Sequence, residues 1–291
     1  MIILRDLALH GKVTEVAALH GVTPSAVSQQ LRALEAEAGA SLVERDGRGL
    51  RLTPAGSTLA AACEPVLAAL ERAEGAVRAL EAEPAGPLPI GCAPSALGPV
   101  AAPLLAELAV RHPRLRPRVA QWDPEDAVPL LRARRLDLAI TYHYPLLGAP
   151  PGEGVTARPL FEDPLCLAVP DADADLVEAE GIGALRDRDW LSAPAPSSCR
   201  EMLLDRCRAA GFTPRVTHDC ADLRAGLALV AAGVAVTILP GLLAADPPAG
   251  VTVRRLPGPG RTVAAAVRTG TETRPAIAAA LAVLAHAPDP T

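Results

Sequence analysis

The first 58 residues carry short apolar stripes separated by turn residues, which predicts a small helical domain. Residues 14–20 have the pattern of a capped short helix that Gly21 ends. A second helix follows at once, because Thr23 is a good N-cap and Pro24 suits the first helical position. Its apolar residues recur every three or four positions, as in one buried stripe: Val27, Leu31, Leu34 and Ala38. The two helices form a candidate helix-turn-helix.

The outer face of the second helix is polar. At 100° per residue, Ser25, Gln29 and Arg32 lie opposite the apolar stripe, and Ser28 lies on its flank. Side chains of these types read base edges or bind phosphates. The alternative is that this face is simply the solvated side of a helix.

Residues 42–53 hold two short apolar flanks around a glycine turn, together with Arg45, Arg48 and Arg51. This pattern is typical of the wing of a winged helix-turn-helix. Basic and acidic residues balance at six each over residues 1–58, so net charge does not point to DNA there. The clustering of three arginines does.

A long helix is predicted after the wing, because Thr53-Pro54 repeats the pairing of an N-cap with a first-turn proline. Intervals of four and three residues then alternate in a heptad seam: Leu59, Cys63, Val66, Leu70, Ala73, Val77 and Leu80. Such a seam predicts pairing with a second copy of the helix. A helix packed on its own domain is the alternative. Pro65 should bend this helix, and residues 81–89 have the composition of a hinge.

The remaining two-thirds alternates apolar strands with amphipathic helices, the pattern of an α/β sheet. The clearest predicted strands are residues 88–93, 136–142, 165–169 and 190–193. A helix extends to Ala210, and a helix and a strand flank Gly233. We expect the charged run 171–175 to be a solvated loop.

Composition narrows the class of protein. The 291 residues carry 28 basic and 33 acidic side chains, and the net charge of −5 excludes a protein that coats nucleic acid through bulk positive charge. Six scattered cysteines without a C-x-x-C pair predict no metal site and fit a reduced, cytoplasmic protein. Arg5 and Asp6 lie where the apolar core of a signal peptide would be. Residues 225–245 lack charge, but Gly233 and Pro240 divide them, so we expect no membrane span.

The chain resembles the LysR-type transcriptional regulators. The resemblance is carried by Thr23-Pro24-Ser25-Ala26-Val27-Ser28-Gln29-Gln30-Leu31-Arg32-Ala33-Leu34-Glu35, then by Gly39, Leu42, Glu44-Arg45 and Leu52-Thr53-Pro54-Ala55-Gly56. Weaker similarity continues through residues 87–91, 136–140 and 230–236.

The resemblance implies an α/β protein with an N-terminal all-α winged helix-turn-helix, a long linker helix and a two-subdomain effector domain like a periplasmic solute-binding protein. The corresponding ranges are 1–58 for DNA binding, 59–86 for the linker, dimerisation helix and hinge, and 87–291 for effector binding. It further implies that DNA is contacted by Thr23, Ser25, Ser28, Gln29, Arg32, Arg45, Arg48 and Thr53. Of these, Thr53 is also expected to cap the linker helix.

In the family a small molecule binds between the two halves of the effector domain. Ligands of open α/β sheets lie outside the carboxyl ends of the strands. We therefore expect effector contacts from strand-end residues: Ser95, Trp122, Asp123, Thr141, Tyr142, Ser197 and Ser198. Several of these residues have the alternative role of helix caps.

Three residues depart from the family pattern. His20 stands where the family usually buries leucine, and Val43 replaces its usual phenylalanine beside the wing. Pro65 is unusual in the linker helix. These differences put local packing and dimer geometry in question, and the fold is unaffected.

The function expected from these observations is effector-controlled, sequence-specific binding of double-stranded DNA by a homodimer or homotetramer that also meets RNA polymerase. An alternative is a thiol-based redox sensor that uses Cys199 and Cys207, with nearby arginines lowering a thiol pKa. An enzyme is the third reading. No catalytic motif of the common hydrolase, zincin, P-loop or dinucleotide-binding classes is present in the sequence, so we expect no catalytic residues and no cofactor.

Overall fold

A computed structural model describes residues 1–46, 49–80, 83–148, 152 and 154–286. The N-terminal part is a winged helix-turn-helix, as predicted. Its elements are α1 (Ile2–His10), α2 (Val13–His20), α3 (Pro24–Ala38), β1 (Val43–Asp46) and β2 (Gly49–Leu52). Val27 and Leu31 of α3 are buried against the apolar sides of α1 and α2. Thr23 caps α3 through a hydrogen bond from the N–H of Ala26, which confirms the predicted helix start.

The wing is fixed to α3 by one carboxylate. Glu35 Oε1 accepts hydrogen bonds from the N–H groups of Leu42 at 2.8 Å and Val43 at 3.1 Å. Gly56 lies so close behind this loop that an added Cβ would stand 2.0 Å from the carbonyl oxygen of Leu42. The approach of the next helix to the wing therefore requires a glycine here.

His20 replaces an apolar contact with a polar one. Its Nε2 lies 2.6 Å from Oδ2 of Asp6, whose side chain is fully buried and also pairs with Arg5. Val43 is partly buried and packs against the same core. Both departures from the family pattern are thus accommodated within the domain.

The long helix α4 (Pro54–Arg78) starts at the Thr53 cap and continues through Pro65. Five seam positions point outward, namely Val66, Leu70, Ala73, Val77 and Leu80. The structure differs from the predicted seam at its ends. Cys63 is buried within the chain because α4 packs there on α1, and Leu80 lies beyond the last helical residue.

The C-terminal part consists of two α/β halves, which confirms the predicted fold class. The first half has one five-stranded sheet in the order β4-β3-β5-β12-β6. Its strands are β3 (Gly86–Cys92), β4 (Leu115–Gln121), β5 (Leu138–His143), β6 (Val155–Asp163) and β12 (Arg261–Arg268). Its helices are α5 (Ala102–Arg111), α6 (Pro124–Arg132) and α10 (Pro275–Ala285).

The second half pairs β10-β7-β11 and, beside them, β8-β9, with a bridge from Trp190 to Val236. Its strands are β7 (Leu165–Pro170), β8 (Asp189–Ser192), β9 (Arg215–Asp219), β10 (Thr237–Pro240) and β11 (Val251–Arg255). Its helices are α7 (Ala174–Glu180), α8 (Ser198–Ala209) and α9 (Leu223–Ala231). The prediction of a loop at residues 171–175 is wrong, because a 3-10 turn and the start of α7 occupy them.

Two chain crossovers connect the halves, one from β6 to β7 and one from β11 to β12. They touch closely, since an added Cβ on Gly260 would stand 2.1 Å from the carbonyl oxygen of Asp163. In the part of the chain that the structure describes, no helix combines the length and apolarity that crossing a membrane requires.

Helix α4 also docks on the first half. Glu71 is buried there between three arginines: Arg268 and Arg134 lie 3.0 and 3.1 Å from its Oε1, and Arg274 lies 2.7 Å from its Oε2. Gly270 permits this approach, because an added Cβ would stand 2.4 Å from the carbonyl oxygen of Ala68. The linker is therefore bonded to the effector part through buried charge.

Candidate functional site

The exposed face of α3 carries the predicted base-reading side chains. Ser25, Gln29 and Arg32 are exposed and Ser28 is half-buried, because Val27 and Leu31 fix the opposite face in the core. This is the arrangement that the helical spacing predicted.

These side chains differ in how far they are already bonded. Thr23 Oγ1 lies 2.8 Å from Ser25 Oγ, and the Ser28 hydroxyl donates to the carbonyl oxygen of Pro24 at 3.0 Å. Gln29 and Arg32 have no side-chain partner among the described residues. Of the predicted base-reading side chains, they are therefore the most free to contact another molecule.

A basic groove runs beside α3. It encloses about 880 Å³ and is lined by Lys12, Ser28, Arg32 and Arg45, among others. Lys12 follows Gly11, which ends α1 in the left-handed conformation, and its ammonium group pairs with Glu15 at 2.7 Å. Lys12 was not selected from the sequence, although its place in the turn between α1 and α2 was a usable signal.

The other predicted DNA contacts have different surroundings. Thr53 donates to the carbonyl oxygen of Ser41 at 2.7 Å and accepts from the N–H of Gly56 at 3.0 Å, so it is the cap that the sequence predicted. Arg51 belongs to the arginine cluster of the wing but not to the predicted contacts, and it pairs with Glu44 across the wing. Arg48 lies outside the described residues.

A second site is a cavity of about 670 Å³ between the two halves of the effector part. Four of the predicted effector residues line it: Ser95, Asp123, Tyr142 and Ser197. They meet there because strands β3, β4, β5 and β8 all end at this edge of their sheets.

Three predicted effector residues are outside the cavity lining. Thr141 is buried on the other face of β5 from Tyr142, since neighbouring residues of a strand point to opposite faces. Trp122 packs beside Gly91 on the outer side. The N–H of Ser198 donates to Oε1 of Glu125 at 2.8 Å, a contact that spans the two halves.

The sequence reasoning missed Arg261, which is buried in the cavity wall. Its Nε donates to Asp163 Oδ2 at 2.8 Å, and its Nη2 donates to Ser95 Oγ at 2.7 Å. The guanidinium carbon lies 4.2 Å from the ring centre of Tyr142. An arginine at the start of a strand whose central residues, 263–267, are all apolar was the signal that could have identified it.

Arg261 and Asp163 also hold the two crossovers together. Asp163 is fully buried, and burial raises its pKa against the opposing effect of Arg261. Its Oδ1 accepts from the N–H of Leu242 in the second half. This ion pair therefore joins the two crossovers to each other beside the cavity. The further hydrogen bonds of its two side chains reach Ser95 in the first half and Leu242 in the second half.

Cys199 lies at the start of α8 and faces the cavity. Burial raises the pKa of its thiol, although a contact of 3.4 Å with the Tyr144 hydroxyl opposes this. Cys207 is buried in the core, and burial raises its pKa to about 12. Both lie on α8, so the helical rise of about 1.5 Å per residue separates their Cα atoms by about 12 Å. A disulfide requires less than about 7 Å, so α8 would have to unfold for these two thiols to bond.

Among the residues that the structure describes, no group of three or more potential metal ligands occurs.

Two family models match the chain. The model described as "Bacterial regulatory helix-turn-helix protein, lysR family" covers residues 1–57, and "LysR substrate binding domain" covers residues 81–288. The first therefore spans the winged helix-turn-helix, and the second spans both α/β halves.

Curated relatives include a probable hydrogen peroxide-inducible genes activator of Streptomyces viridosporus, which is 34% identical over 91% of this chain and 85% of its own length. The transcriptional dual regulator GltC of Bacillus subtilis is 29% identical over 74% of this chain and 71% of its own. The regulator ShiR of Corynebacterium glutamicum is 32% identical over 75% of this chain and 74% of its own length.

Solved structures share the fold. A full-length OxyR variant from Pseudomonas aeruginosa superposes with a TM-score of 0.63 at 23% identity, covering 98% of this chain and 93% of that one. Full-length CbnR complexed with its target DNA superposes with a TM-score of 0.56 at 21% identity, covering 97% and 96%.

Proposed function

Because the chain belongs to the LysR family of bacterial transcriptional regulators, we propose that it recognises its operator through α3 and the wing and responds to a small molecule in the inter-half cavity. We divide it into residues 1–58 for DNA binding, 59–86 for linkage and dimerisation, and 87–291 for effector binding. We propose that the protein binds DNA and a small-molecule effector and catalyses no reaction.

The observation that carries the DNA-binding proposal is the free outer face of α3. Gln29 and Arg32 are exposed and have no side-chain partner in the part of the chain that the structure describes, and Arg32 opens onto the groove that Lys12 and Arg45 line. Amide and guanidinium groups form the paired hydrogen bonds that distinguish bases in the major groove. Lys12 and Arg45 supply salt-dependent phosphate contacts. Ser25 and Ser28 flank these groups on the same helix.

Self-association is proposed through the outward stripe of α4, which consists of Val66, Leu70, Ala73 and Val77. The side chain of Val77 is 69% exposed in the single chain, and four apolar groups in register are suited to pairing with a second copy. Two winged domains joined in this way predict an operator with inverted half-sites. RNA polymerase is the further partner we propose, and the cytoplasm is the compartment.

The test is selection of genomic fragments by the purified protein at a stated salt concentration. We expect one interrupted palindrome to be enriched, and to be lost in the Gln29→Ala, Arg32→Ala double variant, since each base contact contributes about 1–3 kcal/mol of discrimination. Arg118→Ala, an exposed arginine of β4, is the matched control and should retain the enrichment. Equal enrichment by the double variant would refute the assignment of α3.

A second candidate function is thiol-based sensing, favoured by the position of Cys199 in the cavity wall. The 34% identical relative is named a probable hydrogen peroxide-inducible genes activator. The raised pKa of Cys199 and the separation from Cys207 oppose it. Mass spectrometry after mild peroxide distinguishes the two proposals: a Cys199–Cys207 disulfide supports sensing, and two free thiols remove it.

A further inference from the structure

The arginines that line the cavity are already bonded within the protein. Arg261 donates to Asp163 and Ser95. Arg224 donates to the carbonyl oxygens of Leu243, Ala245 and Asp246 at 3.1, 2.6 and 2.9 Å. Both guanidinium groups are therefore held by the protein's own oxygens, and Asp163 already neutralises the charge of Arg261.

The helix N-termini at the cavity are also occupied by acceptors. At α8, Ser197 Oγ accepts from the N–H of Arg200, and Glu125 reaches from the other half to accept from the N–H of Ser198. At α9, Asp222 Oδ1 accepts hydrogen bonds from the N–H groups of Arg224 and Ala225. Helix N-termini favour anions, and here the protein's own carboxylates fill those places.

Asp123 is a carboxylate left free at the cavity wall. It stands at the N-cap position of α6, yet its side chain makes no capping hydrogen bond and has no partner among the described residues. Glu125 and Asp126 follow it in the first turn and add negative charge. Desolvation at the cavity wall and these two neighbours raise the pKa of Asp123, and the charge of Arg261, which is ion-paired with Asp163, opposes the rise only in part.

A second unbonded polar group faces the same space from the first half. Tyr142 is 6% exposed and lines the cavity, and its hydroxyl has no hydrogen-bond partner among the described residues. The hydroxyl oxygen is open to the cavity, so a molecule bound there can form a hydrogen bond with it. A hydroxyl accepts from a donor as readily as it donates.

Apart from Gln121, the rest of the wall is mainly apolar. Proline and leucine side chains dominate it, including Pro94, Leu97, Pro99, Pro194, Pro196 and Leu242. The volume of about 670 Å³ lies within the range of roughly 300–1,000 Å³ that is typical of small-molecule sites.

We propose that the cavity binds a small organic amine, whose protonated nitrogen donates to the Asp123 carboxylate while its apolar body packs on the proline and leucine wall. The Tyr142 hydroxyl accepts or donates a second hydrogen bond. This inference rests on the proposed effector role of the cavity and assigns the ligand's charge class. It predicts that simple carboxylic acids bind more weakly than amines of the same shape.

The experiment compares matched ligands of opposite charge by thermal denaturation of the full chain. The probes are 2-phenylethylamine, 2-phenylethanol and phenylacetate, with n-butylamine, n-butanol and butyrate as a smaller set. We expect the amines to raise the unfolding midpoint most and the carboxylates least. A carboxylate that raises the midpoint as much as its amine overturns the proposal, and so does the absence of a shift with both amines.

Two variants test the assigned carboxylate. Asp123→Asn should fold normally, because the native side chain makes no hydrogen bond, and should lose about ten- to hundredfold in amine affinity, the range for a hydrogen bond to a charged group. Asp126→Asn makes the same change in the same turn but outside the cavity lining, and should change affinity less than about threefold. Equal amine affinity in Asp123→Asn and the native protein would overturn the assignment.

The operator selection described above separates this inference from the proposed function. If the native protein and Asp123→Asn both enrich the palindrome but neither amine raises the unfolding midpoint, only the assigned ligand class is wrong. If the amines bind but no DNA sequence is enriched, the proposed regulatory function is wrong and the assigned ligand class is supported.

Discussion

The buried carboxylate of Glu71 is expected to hold the linker helix to the effector part. Its side chain is 4% exposed and lies against Arg268, Arg274 and Arg134. Replacing it by Gln keeps the shape and removes the charge, so that Arg268, itself 6% exposed, loses an ionic partner. Removing one partner of a buried ion pair costs about 3–5 kcal/mol, because the remaining charge is left uncompensated.

The magnitude should lie at the low end of that range. Arg268 keeps Asp137 as an ionic partner at 2.7 Å and donates to the carbonyl oxygens of Leu131 and Leu136. We therefore expect Glu71→Gln to lower the free energy of unfolding by about 3 kcal/mol. For a unit of this size, that loss corresponds to a fall of about 6–12 °C in the unfolding midpoint.

Tryptophan fluorescence during thermal denaturation measures this loss, because Trp122 and Trp190 both lie in the effector part. Glu74→Gln is the matched control. Glu74 is three residues further along α4 and pairs with Arg274 and Arg134, but it is 48% exposed, so its removal should cost less than about 1 kcal/mol. A midpoint of Glu71→Gln no lower than that of Glu74→Gln would refute the reasoning.

Three further predictions concern the same surfaces. Gly270→Ala should loosen the docked linker by steric collision with the Ala68 carbonyl and strain at φ +91°, which faster amide exchange in α4 would reveal; unchanged exchange would contradict the contact. Leu70→Glu should reduce the mass measured by light scattering to that of a monomer while the domain stays folded, because this side chain is 48% exposed in the single chain. A carboxyl group whose pKa is raised by folding contributes stability below its ordinary value of 3.8 and loses it as the pH rises through the raised value. Asp123→Asn should therefore become more stable than the native protein as the pH rises above about 4, in parallel melting curves, and a constant difference would count against the raised pKa.

Helix α3 was predictable residue by residue. The cap at Thr23, the proline at the first position and the stripe of Val27 and Leu31 are local signals, and they fix which way Gln29 points. The cavity was predictable in part. The ends of the strands identified Asp123 and Tyr142 as cavity residues. Thr141 was predicted with them, but side chains alternate between the two faces of a strand, so a shift of one residue moves a side chain from the cavity face to the opposite face of β5.

Partners distant in sequence were beyond prediction from the chain alone. Arg261 pairs with Asp163, which lies 98 positions away in the sequence, and Glu71 pairs with Arg268, which lies 197 positions away. Local spacing carries no information on such pairs, since they form when separate elements pack.

The sequence by itself determined the family, the helix-turn-helix, the linker helix and the alternating strands, because caps, periodicity and motifs act over a few residues. Only the tertiary structure decided which charges are compensated in the cavity wall and which face of α4 stays outward. Those features depend on burial, and burial is settled by the packing of elements that lie far apart along the chain.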